Sequence, residues 1–338
     1  MKQFLTQLKE YLILIRIRFW IYTVTLPVSS MLAMGSTQMR NLIRLVIIGS
    51  LYHILGHTMN DYLDLKFDKY SLNIFKKPLA RGAISKRAAL SLIFGSLILF
   101  FLTTWFFFPK LIMILTAAAA VLFGSFYNLW SKKILGSDIF LAFSIFFFSL
   151  LGALSVDINL TLTACFISLF WGLDWLYATS LQHLRDLNFD RRAGARTFPL
   201  HLGVTLKDSR LRLTNSYKLA ISTIRILDLI IFGYLLIYSP FSLSLVQSPL
   251  LLLFILLTCC GVIFLHLRLI WPEETEPRKH STSGPAGVVL GWIIIFFILS
   301  PVTGLEVTIS LFFISLAWGV FFNRFLFGRS ILLKRELQ

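Results

Sequence analysis

The sequence predicts an all-α fold, a polytopic membrane bundle of nine to ten transmembrane helices forming a single domain over residues 1–338. Three observations predict it. Of the 338 residues, 57% are hydrophobic and only 14% charged, against roughly 25% charged in a soluble globular chain. Apolar runs of about 20 residues, the length a helix needs to cross a bilayer, recur along the whole length. The Lys and Arg residues sit between those runs, mostly in alternate connections. Helices satisfy their backbone hydrogen bonds internally, as lipid demands, and the period-2 alternation of a membrane β-barrel is absent.

The runs follow in order. The first, 12–34, is a full span with Arg16 and Arg18 near its start, so it reads as a permanent helix and not a cleaved signal. The second, 42–59, leads into a polar connection, 60–87, that carries Lys66, Lys69, Lys76, Lys77, Arg81, Lys86 and Arg87. Runs at 88–108 and 110–130 precede Lys132 and Lys133. Runs at 136–156 and 160–180 precede a second long polar connection, in which 185–212 holds seven more basic residues. Runs at 217–239 and 249–271 follow, and the stretch 266–280 holds Arg268, Arg278 and Lys279. The ninth run, 286–301, is the shortest, and the tenth is 305–327. The connections at 157–159, 240–248 and 301–305 hold no Lys or Arg. This alternation places the N-terminus and the even-numbered connections in the cytoplasm. It supports the tenth span, which brings Arg324, Arg329, Lys334 and Arg335 inside.

The formal charge of +16 is therefore a topology signal and not the mark of a nucleic-acid partner. Cys165, Cys259 and Cys260 lie within apolar runs and read as small buried residues. No CxxC or His/Cys cluster has metal spacing.

The second run ends in "HTMNDYLDLKFDKYS", with three aspartates in eight positions. On a helix, His57, Asn60, Asp61, Asp64 and Asp68 fall within an arc of roughly 100°. The second long connection reads "SLQHLRDLNFDRRAGARTFP". Asp186 and Asp190 are four apart and share a face, with Gln182 and His183 one turn earlier. A single loop aspartate is usually a solvated counter-ion. Two ladders at equivalent helix ends, each followed by a basic stretch, are functional candidates. Carboxylate and amide oxygens in this number suit Mg²⁺, which is held by a few carboxylates together with waters and phosphate oxygens. Lys76, Lys77, Arg81, Lys132, Lys133, Arg191, Arg192 and Arg196 are the nearby cations.

"NDYLDLKFD" with "KPLARGAIS", and "DLNFDRRAGARTFPLHLG", resemble the two signature regions, NDxxDxxxD and DxxxD, of the UbiA superfamily of intramembrane prenyltransferases. The resemblance runs from "RIRFW" near Arg16 to Gly203, with both motifs in order and four spans between them. It implies a helical bundle, usually of nine spans, with a central cavity that opens to lipid and an active site on the cytoplasmic side. It implies Mg²⁺-dependent transfer of an isoprenyl group from its diphosphate to an acceptor. Asn60, Asp61, Asp64, Asp68, Asp186 and Asp190 would hold Mg²⁺, with Asp64, Asp68, Asp186 and Asp190 as the catalytic carboxylates. Arg18, Lys77, Arg81, Tyr127, Lys132 and Arg196 would bind the diphosphate. The chain departs from the family pattern in the first connection. Leu72 and Asn73 stand where many members have a basic pair, Lys77 stands for an Arg and Arg81 for a Ser. The tenth span is also unusual.

The implied partners are a prenyl diphosphate, membrane lipids and a lipid-soluble or amphipathic acceptor, such as an aromatic quinone precursor or a prenylglyceryl phosphate. Two alternatives stand beside this expectation. A terpene cyclase on the same bundle would quench the allylic cation with the substrate's own double bond. An anion transporter would use the charges as a vestibule, but it would be expected to show broken midplane helices and repeat symmetry, whereas here the charge sits at helix ends. The Phe-rich composition, with Trp171, Trp175 and Tyr177 before the second ladder, suits a lining that keeps water from the cation.

Overall fold

The computed structural model describes residues 2–68, 76–208, 210–272, 274–275 and 277–328. Leu72 and Asn73, and the basic tail at Arg329, Lys334 and Arg335, lie outside the described residues. The chain opens with α1 (Lys2–Leu14), a 3₁₀ turn at Ile17–Phe19 and α2 (Trp20–Ala33). The expected first span is thus a bent pair, Gln3–Leu14 and Ile17–Ala33, at 50°. The cause is Arg16, whose left-handed backbone (φ 52°, ψ 47°) cannot continue a right-handed helix.

Next come α3 (Met39–Leu63), α4 (Leu65–Asp68), α5 (Lys86–Phe107), α6 (Leu111–Trp130), α7 (Asp138–Leu154), α8 (Leu162–Arg185), α9 (Leu187–Arg192) and α10 (Phe198–His201). Strands β1 (Thr205–Lys207) and β2 (Arg210–Arg212) precede α11 (Asn215–Tyr238), α12 (Ser242–Val246) and α13 (Pro249–Ile270). Strand β3 (Glu274–Thr275) then leads to α14 (Pro277–Ile298), α15 (Ser300–Thr303) and α16 (Leu305–Phe327). The strands form one small antiparallel sheet in the order β1-β2-β3, with Leu211 opposite Leu206 and Thr275. Helix starts follow side-chain caps. Ser85 accepts from the Ala88 N–H, Thr161 from Ala164 and Thr214 from Tyr217, each satisfying an N–H that has no partner within its helix.

After the broken first span, each expected span falls on a helix. Among the described residues, seven helices are long and apolar enough to cross a membrane, and eight if the bent pair is one span. The fifth and ninth expected spans appear as shorter apolar helices, Asp138–Leu154 and Ala286–Ile298. The protein is an integral membrane helical bundle. On α5, Phe94, Ile98, Leu102 and Trp105 are exposed, the face that lipid covers, while Ala89, Ile93, Ser96, Phe100 and Thr104 are buried.

The chain forms two compact units. One comprises Met1–Thr25, Met39–Pro109 and Ile309–Gln338, the other Leu26–Gln38 and Lys110–Thr308. In the first, α3 packs on α5, and the Gly49 Cα hydrogens face Val24 where a Cβ would be 3.0 Å away. Trp20 Nε1 donates to Ser50 Oγ (2.8 Å) and Trp318 Nε1 to the Ile17 carbonyl (2.8 Å). In the second, α2, α7 and α8 are joined by hydroxyls. Ser30 Oγ lies 2.7 Å from Ser149 Oγ and 3.0 Å from Ser168 Oγ, and Trp171 Nε1 donates to Ser29 Oγ at 2.7 Å. Small polar residues of this kind let membrane helices approach closely.

Candidate active site

Both aspartate ladders sit where a long helix breaks and a short one follows. In the first unit α3 ends at Leu63, Asp64 occupies the break and α4 ends on Asp68. The Asp64 N–H still donates to the Asn60 carbonyl and the Asp68 N–H to Asp64, both at 2.9 Å. The carboxylates therefore keep their four-residue spacing through the break. In the second unit α8 ends at Arg185, Asp186 occupies the break and α9 carries Asp190. Here the Asp190 N–H donates to the Asp186 carbonyl at 2.8 Å.

The first set is buried and paired with cations. Asp61, Asp64 and Asp68 are 3%, 8% and 6% exposed. Arg16 Nη2 donates to Asp61 Oδ1 (2.7 Å) and Asn60 Oδ1 (3.2 Å). Asn60 Nδ2 donates onward to Asp64 Oδ2 (3.4 Å). Lys77 Nζ lies 2.9 Å from both Asp61 Oδ1 and Asp68 Oδ2. The left-handed backbone of Arg16 stores strain next to these carboxylates, as functional sites often do.

The second set is uneven. Asp190 is buried, with Lys132 Nζ 3.8 Å from Oδ1 and His183 Nδ1 3.7 Å from Oδ2. Neither Asp190 oxygen has a hydrogen-bond partner. His183 Nε2 lies 3.2 Å from Asp138 Oδ1, so the imidazole stands between two buried aspartates. Asp186 is 45% exposed and forked by Arg185, with Nε to Oδ1 at 3.1 Å and Nη2 to Oδ2 at 2.9 Å. The Arg196 N–H donates to the Lys132 carbonyl (3.0 Å), which ties the basic loop after α9 to the connection after α6. Among the described residues, no three of His, Cys, Asp and Glu stand close enough to enclose a metal ion by themselves.

The model of the UbiA prenyltransferase family matches residues 21–283, most of the chain. The chain belongs to the UbiA prenyltransferase family. No curated protein sequence matches it. Solved structures do. A digeranylgeranylglyceryl phosphate synthase shares 16% identity at a TM-score of 0.64, covering 89% of this chain and 100% of that one. A UbiA homologue from Archaeoglobus fulgidus bound to GPP and Mg²⁺ shares 17% identity at a TM-score of 0.60, covering 85% and 99%. A UbiA homologue from Aeropyrum pernix K1 shares 15% identity at a TM-score of 0.64, covering 86% and 98%. At such identities the likeness shows the UbiA helical fold, and the family makes this protein a membrane prenyltransferase.

Within this UbiA chain the expected site residues fall into distinct surroundings. Asn60, Asp61, Asp64, Asp68 and Lys77 come together in the first unit. Arg81 is ion-paired with Glu10 of α1, and the Arg18 guanidinium lies over the rings of Phe19 (4.6 Å) and Phe327 (5.3 Å). In the second unit Lys132 comes to Asp190. Arg196 is exposed and Tyr127 half-buried. Asp186 and Asp190 lie in different surroundings: Asp186, at the break after α8, is half-exposed, and Asp190, on α9, is buried. Two residues escaped the sequence reading. Arg16 reaches Asp61, and nothing in "RIRF" marks the break that turns it there. Asp138 at the start of α7 supports His183, and its signal was an acid at the mouth of an apolar run.

Proposed function

We propose that this prenyltransferase moves an isoprenyl group from a prenyl diphosphate to a lipid-soluble or amphipathic acceptor, with Mg²⁺, at the cytoplasmic side of the membrane. The observation that carries the reading is the pair of broken helix ends, each bearing a buried aspartate within reach of a basic side chain: Asp61 and Asp68 with Arg16 and Lys77, Asp190 with Lys132. The donors suit Mg²⁺. They are hard oxygens, and Asp190 has two buried oxygens without a hydrogen-bond partner. Mg²⁺ takes one or two carboxylates and completes its shell with water and phosphate, so it does not require three protein acids in one place. Asn60, Asp61, Asp64, Asp68, Asp186 and Asp190 would hold it. When bound, the metal supplies positive charge against the leaving diphosphate.

The chain's own residues do the rest. Cleavage of the allylic C–O bond places negative charge on the departing diphosphate, and Arg18, Lys77, Arg81, Lys132 and Arg196, with the Tyr127 hydroxyl, would meet it. An electron-rich acceptor atom then bonds the allylic cation. When that atom carried a hydrogen, the proton leaves. The apolar helices exclude water, which would otherwise quench the cation. The distribution of Lys and Arg supports the cytoplasmic side.

The test is to incubate the purified protein with a panel of prenyl diphosphates and acceptors, with and without chelator, and to identify products by mass. An acceptor-dependent prenylated product that disappears on chelation is expected. A cyclised product formed without acceptor would replace transfer with cyclisation. Diphosphate release unaffected by chelation would remove the metal.

A further inference from the structure

Apart from both motifs, the second unit buries another set of charges. Asp174 comes from α8, and Arg225 and Asp228, one turn apart, come from α11. The three side chains are at most 2% exposed. Asp174 lies about 16 Å along α8 from its C-terminal end, far inside the apolar length of the helix. Arg225 Nη1 donates to Asp228 Oδ2 at 2.9 Å and, at 3.3 Å, to Asp174 Oδ1. The guanidinium carbon sits 3.7 Å above the Tyr177 ring. Asp174 Oδ2 and Asp228 Oδ1 have no hydrogen-bond partner.

The groups around the triad do not balance it. α8 adds Tyr177, and α11 adds Tyr217, whose hydroxyl donates to the Ser180 carbonyl (3.1 Å). α13 adds His266, 3.0 Å from the Tyr177 hydroxyl and 3.1 Å from Ser222 Oγ. α14 presents Gly287 and Gly291, where a Cβ would be 3.9 Å from Arg225 Nη2 and 3.7 Å from Asp174 Oδ1. None of these described groups carries a permanent positive charge. Two carboxylates thus face one guanidinium, and the uncompensated charge is expensive in an apolar interior.

We propose that the Asp174–Arg225–Asp228 triad binds one monovalent cation, a proton or an alkali ion, between its two unpartnered carboxylate oxygens. The cation neutralises the second carboxylate and ties α8 to α11. Because α8 carries His183 and leads into Asp186, occupancy steadies the helix that presents the second motif. The triad shares no residue with the proposed Mg²⁺ ligands, so the inference holds or fails independently of the transfer reaction.

The test uses the full-length protein in nanodiscs, wild type and Asp228→Asn, with Asp174→Asn as the second variant. Each Asn is isosteric with a protonated Asp and leaves a balanced Asp–Arg pair, so folding is expected. Infrared spectroscopy at neutral pH reads the C=O stretch of a protonated carboxyl group. Thermal unfolding is measured in NaCl, KCl and choline chloride at equal ionic strength. A carboxyl band that disappears in either variant identifies a proton. A wild-type Tm at least about 2 °C higher in Na⁺ or K⁺ than in choline, with the difference lost in the variants, identifies an alkali ion. A wild type with neither signal overturns the proposal without recourse to any variant. A band or salt response that persists in both variants overturns it too.

Discussion

Arg16 Nη2 donates to Asp61 Oδ1 at 2.7 Å, joining the break in the first span to the end of α3 across 45 positions of sequence. The contact exists because Arg16 leaves the helical path with φ 52°. Arg16→Ala and Arg16→Gly both remove the guanidinium and should both cut turnover severely. They should differ in stability. A non-glycine residue in the left-handed region is disfavoured by about 1–2 kcal/mol, and Gly relieves this while Ala does not. Denaturation of the two variants should place the Gly form above the Ala form by about 1 kcal/mol. Equal stabilities would mean that the break is not a strained feature.

Asp64 and Asp186 occupy the breaks themselves. Asp64→Asn and Asp186→Asn should each lower Mg²⁺-dependent turnover by orders of magnitude. The Asp186 variant should keep its Tm, because that side chain is 45% exposed and its pairing with Arg185 contributes no more than about 1 kcal/mol. Near-normal turnover in either variant would remove that residue from the metal-binding set.

Much of this was legible in the sequence, for physical reasons. Lipid forces every backbone group to be satisfied within a helix, so the apolar runs after the first became helices. The four-residue spacing of Asn60, Asp64 and Asp68 survives because their backbone hydrogen bonds run through the break. The sequence does not show the break at Arg16, which has no glycine or proline to mark it, and so does not reveal that Arg16 reaches Asp61. It also does not separate the half-exposed Asp186 from the buried Asp190, because a 100° periodicity gives the face of a helix and not its depth of burial. Asp174, Arg225 and Asp228 were each visible as ionisable residues inside apolar runs. What joins them is packing between α8 and α11, 51 positions apart at Arg225 and Asp174, which no local pattern encodes.

Arg81 pairs with Glu10, so the acid competes with a diphosphate for the same guanidinium. If Arg81 binds the diphosphate, the two partners should shift its KM in opposite directions. Arg81→Ala removes a charge-assisted contact of about 1.5–3 kcal/mol and should raise the KM about tenfold or more. Glu10→Ala frees the arginine and should leave the KM unchanged or lower it. Equal rises in both variants would make the pair a fastening of the loop and nothing more.

The topology expected from Lys and Arg makes a different kind of claim. Lys133 is exposed in the connection after α6. A cysteine at Lys133, or near Gln338, should resist an impermeant thiol reagent applied outside intact cells and react once the membrane is opened. Ready labelling of Lys133→Cys from outside would invert the orientation. Labelling at the C-terminus alone would mean one span fewer between them.

At Gly152 the backbone of α7 comes directly against that of α2. A Cβ there would overlap the carbonyl group of Pro27 in α2. The obstacle is backbone, so no rotamer change relieves it, and the two helices must move apart. That motion would strain the serine contacts on the same faces, Ser149 to Ser30 at 2.7 Å and Ser149 to the Leu26 carbonyl at 3.0 Å. Overpacking of this kind costs about 1–3 kcal/mol and occasionally more. Gly233, inside α11, is the control, because nothing lies within 4 Å of its added Cβ. Ala there should be neutral or stabilising by about 0.5–1 kcal/mol through helix propensity. Thermal unfolding in detergent should therefore rank Gly233→Ala at or above the wild type and Gly152→Ala well below it. A Gly152→Ala protein as stable as the wild type would mean that α2 and α7 do not meet at this point.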